Sequence, residues 1–600
     1  MSALVAGVTR RGYLLAALAA VLLLFAPQLG AGPFLVRQIM VAAVFGLVVI
    51  GLNLAWGYAG VLALGHVAVF ACAAYATGIG AKAGLDGTVT LLVTLLAGFL
   101  IGLATSIPGL RLGGWSLAMV SFFLILLIPD LVRILGDVTG GTAGLSGIPQ
   151  LTLFGTQVAD ATLYVVVVLA VVVWVALLRN ITTSRHGAAL LVLKQSPVLA
   201  GSLGMSAFRL KVTAVTVGAL PAATAGWLFA YLDGFIAPES FGFGLAVTLL
   251  AISIVGGSQS FYGAVVAAFL VQVTMLRSSA FDQFALAVNG LVLVLFGILF
   301  ADGIAGGVAR LTAALLRRLP PAPHTGAAVG EVGEVPELPG LPLTVAGVGK
   351  TFGGNIALRG VDVRAEPGRV TALIGANGSG KTTLLNCVSG LYVPEQGRIT
   401  LGATDLTPLG AARIARAGVA RTFQTPSIPR RLTVREVVET ARFARPYLPM
   451  WAAALRLPAL RRRGREDRAE ADLWLHHVGL SDVADERAES LPLGRRRLLE
   501  VARAAAARPS LLLLDEPASG LHEDEVHDLE RVLGLLRAAG TTVVLVEHNF
   551  PMVLRVADRI HVLELGGLLA SGTPHEVSTS ERVAESYLGT STPILAEDPA

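Results

Sequence analysis

Long apolar runs follow one another through the first half of the chain and constrain its fold more than any other feature. A helix needs roughly 17–25 predominantly apolar residues to cross the hydrocarbon core of a bilayer. Such runs recur near residues 13–29, 36–56, 61–80, 88–108, 114–136, 161–178, 212–232, 243–276 and 283–301. The eighth run is too long for one span and contains Gly256-Gly257, so we expect two shorter helices joined by a turn. The pattern predicts a polytopic α-helical membrane domain of about nine or ten spans.

Charge is distributed unevenly along the chain and sets the expected orientation of these spans. Only 14% of the residues are charged, and residues 1–318 contain 15 Lys/Arg against 8 Asp/Glu. Ten of the cations form three clusters, which we place on the cytoplasmic side: Arg10 and Arg11 before the first span, Arg179, Arg185, Lys194, Arg209 and Lys211 after the sixth, and Arg310, Arg317 and Arg318 after the last. Cytoplasmic loops of membrane proteins carry an excess of Lys and Arg. The excess of cations in this half therefore indicates membrane orientation and does not indicate nucleic-acid binding. Cys72 and Cys387 lie in different halves, which excludes a disulfide framework.

The composition changes after residue 302. We expect an interfacial helix over 303–319, and then a linker rich in Pro, Gly and Glu that ends near residue 342. Beyond the linker, short β-type runs alternate with helical ones, which is typical of an α/β domain. The predicted organisation is a transmembrane domain over 1–302, an interfacial helix and linker over 303–342, an α/β domain over 343–590 and a tail over 591–600.

A complete phosphate-binding loop lies near the start of the α/β domain. Residues 375–382 read Gly-Ala-Asn-Gly-Ser-Gly-Lys-Thr, between an apolar run and a helix-like run. In such a loop, backbone N–H groups surround the β- and γ-phosphates, the lysine adds a positive charge, and the next hydroxyl binds Mg²⁺. Thr382 is therefore a predicted Mg²⁺ ligand. The predicted nucleotide-binding residues of this segment are Gly375, Asn377, Gly378, Ser379, Gly380, Lys381, Thr382 and Thr383.

Two carboxylates end an apolar run further along the chain. Leu511–Leu514 is followed by Asp515 and Glu516. Asp515 would hold Mg²⁺ through water and Glu516 would polarise the attacking water, and phosphoryl transfer needs both tasks in addition to the phosphate cradle. An apolar strand that ends in Asp-Glu is common by itself. Downstream of a phosphate loop, the pair indicates a nucleotide hydrolase with Glu516 as a catalytic residue.

With these motifs, residues 343–590 resemble the ATP-binding cassette family. The resemblance implies an α/β P-loop ATPase that uses ATP and Mg²⁺. It also implies that Gln424, after Phe423, is both a catalytic residue and an Mg²⁺ ligand, and that His548 is a catalytic switch residue at the γ-phosphate. Phe352 resembles the aromatic residue of the family that stacks on adenine.

The family signature is altered in this chain. Residues 491–495 read Leu-Pro-Leu-Gly-Arg where the family has Leu-Ser-Gly-Gly-Gln. Gly494 is retained as a predicted nucleotide contact, whereas Pro492 has no N–H and the serine hydroxyl is missing. In the family, each ATP site combines the phosphate loop of one subunit with the signature of the other. Two interpretations stay open: a tolerated variant, or an asymmetric dimer in which this signature weakens the site on the partner's phosphate loop.

The first half resembles the permeases of branched-chain amino acid importers. The resemblance rests on residues 53–60 (Asn-Leu-Ala-Trp-Gly-Tyr-Ala-Gly), 184–187 (Ser-Arg-His-Gly), 202–205 (Ser-Leu-Gly-Met) and 238–242 (Pro-Glu-Ser-Phe-Gly). It implies a permease fused to an ATPase that imports branched-chain or related hydrophobic amino acids across the bacterial inner membrane, with the ATPase domain in the cytoplasm. The implied partners are a second permease/ATPase half, expected to be non-identical, and an extracytoplasmic solute-binding protein.

Several alternatives remain open. Urea, short amides and aromatic acids are alternative substrates for the same architecture. An exporter half-transporter would usually have six long helices per cassette, and an ATP-gated channel would hydrolyse ATP without a loaded binding protein, so both are less favoured. For Gly57, Gly60 and Gly65, close helix packing and a broken helix that lines the transport path are both compatible with the sequence.

Overall fold

The computed structural model describes residues 32–112, 115–277, 335–429, 431–445 and 449–583, together with residues 290, 303–308 and 310. The chain divides into two compact units. Within the described residues, the first unit covers 32–190, 208–310 and 453–455, and the second covers 191–207, 335–452 and 456–583. The predicted span near 13–29, almost all of that near 283–301, the tail at 591–600 and most of the predicted interfacial helix and linker lie outside the described residues.

Apolar helices dominate the first unit, because a helix satisfies its own backbone groups where no water is present. The α-helices of six or more residues up to residue 277 are α1 (Pro33–Leu52), α2 (His66–Lys82), α3 (Gly87–Arg111), α4 (Ser116–Ile134), α5 (Asp160–Thr182), α6 (Arg185–Gln195), α7 (Pro197–Ser202), α8 (Ala207–Asp233), α9 (Phe243–Gly256) and α10 (Phe261–Arg277), of which α7 and the last residues of α6 belong to the second unit. Among the described residues, five helices are long and apolar enough to cross a membrane: α1 with its extension to residue 58, α3, α4, α5 and α8. The polytopic character is confirmed, and the total of nine or ten spans stays a prediction.

Two interruptions of helical structure meet inside the first unit. α1 continues as a π-helical turn (Asn53–Tyr58), after which the chain is irregular until α2 begins. The eighth apolar run divides, as predicted, into α9 and α10. Asn53 Nδ2 donates to the carbonyl oxygens of Gly257 (3.4 Å) and Ser260 (3.2 Å), and Ser253 Oγ donates to Asn53 Oδ1 (2.6 Å). These neutral side chains satisfy backbone groups that the interruptions leave unpaired.

Glycine allows close approach of backbones in the first unit. A Cβ at Gly57 would lie 1.6 Å from the carbonyl oxygen of Ser258, and a Cβ at Gly51 would lie 2.1 Å from that of Gly218 in α8. Contacts this short exclude a methyl group. Gly60 has a φ of +70° within the irregular segment before α2. Close packing at Gly57 and a helix break beside it are therefore both present.

Gly51→Ala is expected to lower the thermal stability of the detergent-solubilised protein, because the added methyl group would push α1 away from α8. Overpacking of this kind costs about 1–3 kcal/mol. The matched control is Gly244→Ala in α9, where no heavy atom lies within 4 Å of an added Cβ. Melting curves of the two variants test the contact, and equal melting temperatures would contradict it.

The second unit contains an antiparallel sheet and a larger, mainly parallel sheet. The strands are β1 (Leu343–Phe352), β2 (Asn355–Ala365), β3 (Val370–Ile374), β4 (Gln396–Leu401), β5 (Thr404–Asp405), β6 (Val419–Arg421), β7 (Leu511–Asp515), β8 (Thr542–Val546), β9 (Arg559–Glu564) and β10 (Gly567–Gly572). The antiparallel sheet has the order β2-β1-β4-β5, and the larger sheet has the order β6-β7-β8-β3-β9-β10, with only β10 antiparallel. β3, β7 and β8 are buried along their whole length, which explains why they are continuous apolar runs.

The second unit also contains α-helices, some of which pack against the larger sheet. They are α11 (Lys381–Val388), α12 (Ala411–Arg416), α13 (Val434–Glu439), α14 (Met450–Ala454), α15 (Pro458–His477), α16 (Leu493–Ala506), α17 (Glu523–Ala538), α18 (Phe550–Val556) and α19 (Pro574–Ser578). The predicted α/β fold of this part of the chain is confirmed. Because the carboxyl ends of parallel strands meet at one edge of a sheet, the segments that follow β3, β6, β7 and β8 lie at the same edge.

Candidate active site

The predicted phosphate loop lies between β3 and α11. Its glycines have backbone conformations in the left-handed half of φ: +151° at Gly375, +82° at Gly378 and +102° at Gly380. A Cβ at Gly375 would also lie 2.2 Å from the carbonyl oxygen of Leu563, so a side chain is excluded there on two grounds. The glycines thus permit a tight turn that leads into the N-terminus of α11, where backbone N–H groups favour a phosphate.

The ammonium group of Lys381 is buried inside this loop. It donates hydrogen bonds to the carbonyl oxygens of Gly375 (2.8 Å) and Ala376 (2.9 Å) and lies 3.4 Å from Ser379 Oγ. Burial lowers the pKa of Lys381, and the two carboxylates at the end of β7 act in the opposite direction. The lysine is therefore held beside the loop by carbonyl groups that a phosphate could replace as its partner.

Of the three residues predicted to be catalytic, Glu516 is in direct contact with the other two, Gln424 and His548. Gln424 Nε2 donates to Glu516 Oε2 at 2.9 Å, and His548 Nε2 lies 3.1 Å from Glu516 Oε1. Glu516 has a φ of +49°, which is uncommon for a residue with a side chain. Arg497 Nη1 donates to its carbonyl oxygen at 2.5 Å. Gln424, Glu516 and His548 follow the neighbouring strands β6, β7 and β8, which explains why they meet.

Asp515 has one carboxylate oxygen that suits a cation. The residue is 1% exposed, and Oδ2 accepts a hydrogen bond from Arg421 Nη2 at 3.1 Å. Within the described residues, Oδ1 has no hydrogen-bond partner. Burial raises the pKa of Asp515, and the Arg421 guanidinium opposes that change. An orphaned buried carboxylate oxygen fits hydrated Mg²⁺, and the other predicted metal ligands, Thr382 and Gln424, line the same cavity of about 320 Å³.

Arg421 organises the floor of this cavity, although sequence reasoning does not identify it. Its side chain is almost completely buried, and Nη1 donates to Asn386 Oδ1 (2.6 Å) and Ser389 Oγ (2.8 Å) in addition to the ion pair with Asp515. The feature of the sequence that could have indicated this role is the position of Arg421 at the end of a short apolar run. An arginine that is buried almost always has an anionic partner. The order of the strands in the sheet decides which carboxylate pairs with Arg421, and no local motif indicates that order.

The predicted adenine contact lies at the end of β1. Phe352 is 41% exposed, the centroid of its ring is 5.1 Å from that of Tyr392, and Lys350 Nζ lies 5.3 Å from the same centroid. An exposed aromatic face suits stacking on a base. Tyr392, which belongs to no motif of the sequence, is a second aromatic candidate beside Phe352.

The altered signature begins α16. Pro492 occupies the N-cap with a φ of −56° and a ψ of 159°, and the helix starts normally after it. A Cβ at Gly494 would lie 2.2 Å from Glu525 Oε2, so the signature glycine packs against a carboxylate of α17. Proline at this position is thus compatible with the helix. The contact of Gly494 with nucleotide stays a prediction.

Fold and site together define the class of protein: a P-loop ATPase of the cassette type joined to a helical, membrane-type domain. Residues 358–519 match the ABC transporter family, and residues 34–301 match the branched-chain amino acid transport system / permease component family. The chain therefore belongs to the ABC transporters, and it combines a permease domain of the branched-chain amino acid transport type with a cassette that binds and hydrolyses ATP.

Two relatives named for branched-chain amino acid transport agree with this assignment. LivG of Salmonella typhimurium, a high-affinity branched-chain amino acid transport ATP-binding protein, is 39% identical over 248 residues, which are 41% of this chain and 97% of LivG. BraF of Pseudomonas aeruginosa, described in the same words, is 38% identical with the same coverage. The chain is also similar to the crystal structure of a nucleotide-free ATP-binding cassette from an ABC transporter, with 29% identity and a TM-score of 0.37. The alignment covers 42% of this chain and 100% of the crystallised cassette.

Proposed function

We propose that this chain is a fused permease/ATPase subunit of an importer for branched-chain or related hydrophobic amino acids in the bacterial inner membrane. The observation that carries the proposal is the contact of Glu516 with Gln424 and His548 in a chain whose first half matches the permease family. ATP hydrolysis in a cytoplasmic cassette would drive the transport. The relatives named for branched-chain amino acids support this substrate class over others.

In this proposal, different residues of the chain bind the phosphates, orient the attacking water and hold the metal ion. The N–H groups of the phosphate loop and Lys381 bind the β- and γ-phosphates. Glu516 orients and polarises the attacking water, His548 contacts the γ-phosphate, and Gln424 links Glu516 to the metal site. Mg²⁺, when held by Thr382, Gln424 and Asp515, would neutralise charge on the phosphates. Phe352 would stack on adenine.

The proposal requires further subunits. An importer of this type needs two permease domains, two cassettes and an extracytoplasmic solute-binding protein, and this chain supplies one of each of the first two. Pro492 offers no N–H at the start of α16, where the partner's ATP would bind. A non-identical second half with an intact signature would give one strong composite site, which favours a heteromeric complex.

A neutral solute or a zwitterion suits the interior of the first unit. The groups that meet at its helix interruptions are mainly amides, hydroxyls and backbone carbonyls, among them Asn53 and Ser253, with the buried imidazole of His66 as an ionisable exception. Ionisable groups buried in a membrane domain usually mark a pathway for ions or charged solutes. Urea, short amides and aromatic acids remain alternatives for the same architecture, and the experiment below separates them.

Uptake of labelled leucine, valine, urea and an aromatic acid tests the proposal. Cells that express the chain with its partner half and binding protein are compared with cells that express Glu516→Gln in its place. Loss of leucine and valine uptake in the variant would support ATP-driven import of these amino acids. Loss for another solute alone would replace the substrate. Hydrolysis that does not depend on loaded binding protein would favour an ATP-gated channel.

A further inference from the structure

Glu500 has a buried carboxylate that takes no part in the hydrolysis proposed above. It lies in α16 and is 2% exposed. Its Oε1 accepts a hydrogen bond from the backbone N–H of Ser427 at 2.9 Å, and its Oε2 accepts one from that of Phe423 at 3.3 Å. One carboxylate thus holds both ends of the loop over 423–427, which carries Gln424.

Arg503 completes this attachment from the next turn of α16. It is 1% exposed, and its Nη2 donates to Glu500 Oε1 at 3.0 Å while Nη1 donates to the carbonyl oxygen of Ser427 at 3.3 Å. A buried ion pair whose remaining atoms are hydrogen-bonded is rigid, because breaking any one contact leaves a charged group unsatisfied. The pair contacts loop backbone only, so it fixes where the loop lies.

The same helix also holds the residue that Gln424 contacts. Arg497, one turn before Glu500, donates to the carbonyl oxygen of Glu516 at 2.5 Å. The side chains of Gln424 and Glu516 meet at 2.9 Å. Both partners of this contact are therefore attached to α16, one through its loop and the other through its carbonyl group.

We propose that Glu500 is a positioning residue for ATP hydrolysis, which with Arg503 sets the loop so that Gln424 meets Glu516. This inference rests on the proposed function, in which Gln424 and Glu516 act in hydrolysis. Glu500→Asp keeps the charge beside Arg503, but its shorter side chain cannot reach both N–H groups. Displacement of a reacting group by about 1 Å can cost up to roughly 100-fold in rate. We expect kcat to fall at least tenfold, with KM for ATP little changed because the phosphate loop is intact.

Glu470→Asp is the matched control. Glu470 is 5% exposed in α15 and also pairs with arginine, since it accepts hydrogen bonds from Arg508 Nη2 at 2.5 Å and Trp474 Nε1 at 3.2 Å. A buried carboxylate is shortened in both variants, so both should lose thermal stability. Only Glu500→Asp should lower kcat more than its loss of folded protein explains.

A double-mutant cycle on the full-length chain, reconstituted with its partner half in lipid nanodiscs, decides the question. ATP hydrolysis is measured for the wild type, Glu500→Asp, Gln424→Ala and the double variant. If Glu500 acts through Gln424, the double variant should be no slower than Gln424→Ala. Multiplied losses, or a kcat that stays at the wild-type value in Glu500→Asp, would overturn the inference.

Two further comparisons keep the result interpretable. If Glu500→Asp does not fold, Arg503→Lys takes its place in the cycle, because it keeps the charge and loses the second contact with Ser427. Wild-type hydrolysis in both Gln424→Ala and Glu516→Gln would contradict the proposed site itself. Normal hydrolysis in Glu500→Asp with strong losses in those two variants would contradict only the role of Glu500.

Discussion

Glu516→Gln is expected to reduce ATP hydrolysis by about 10²–10⁴-fold while the protein still binds ATP. The amide has the same shape as the carboxylate but cannot accept a proton from the attacking water. Gln424 and His548 hold the present carboxylate from two sides, so the substituted side chain should stay in place. Single-turnover hydrolysis and equilibrium binding of labelled ATP, both with Mg²⁺, measure the two effects separately.

The control for this variant is Glu366→Gln, which removes an equal charge from the surface of the same unit. The side chain of Glu366 is 66% exposed and forms a surface ion pair with Arg369, and such pairs contribute little. Its hydrolysis rate should equal that of the wild type. A Glu516→Gln protein that hydrolyses ATP within a few-fold of this control would refute the catalytic role of Glu516.

Lys381→Ala is expected to weaken ATP binding by about 10- to 100-fold, because a hydrogen bond to a charged group contributes about 1.5–3 kcal/mol. The ammonium group is already desolvated and lies against the carbonyl oxygens of Gly375 and Ala376. Little rearrangement is then needed for it to reach a phosphate. Titration with labelled ATP measures the loss, and uptake should fall to background at an ATP concentration that saturates the wild type only.

Arg398→Ala provides the comparison for the lysine variant. Arg398 is a cation on β4 with a side chain that is 68% exposed, and it pairs with Asp405 at the surface. Its removal changes the net charge of the unit by the same amount but leaves the phosphate loop untouched. If the two variants bind ATP equally well, Lys381 does not contact the phosphates.

The features predicted correctly from the sequence are those whose physical requirements are local. Residues 375–382 can be identified because glycine is needed where φ is positive, and a lysine and a threonine must follow at fixed positions. Apolar runs of bilayer length predict spanning helices for the same kind of reason. The division of the run over 243–276 followed from two adjacent glycines, and the structure confirms it.

Contacts between distant segments could not be predicted in this way. The meeting of Gln424, Glu516 and His548 depends on β6, β7 and β8 being neighbours, and no local pattern encodes that order. Arg421 and Glu500 are ordinary charged residues until the fold buries them. The π-helical turn at Asn53–Tyr58 likewise depends on partners that lie some two hundred residues later in the chain.

The contacts of Glu516 have a consequence for a cell that makes this protein continuously. Both carboxylate oxygens face side-chain donors, Gln424 on one and His548 on the other. Each oxygen can still accept a further hydrogen bond, so these contacts orient the carboxylate and leave it able to bind the attacking water. The chain's own side chains therefore orient the catalytic group, and every copy in the membrane is expected to begin hydrolysis soon after ATP and the partner half are in place.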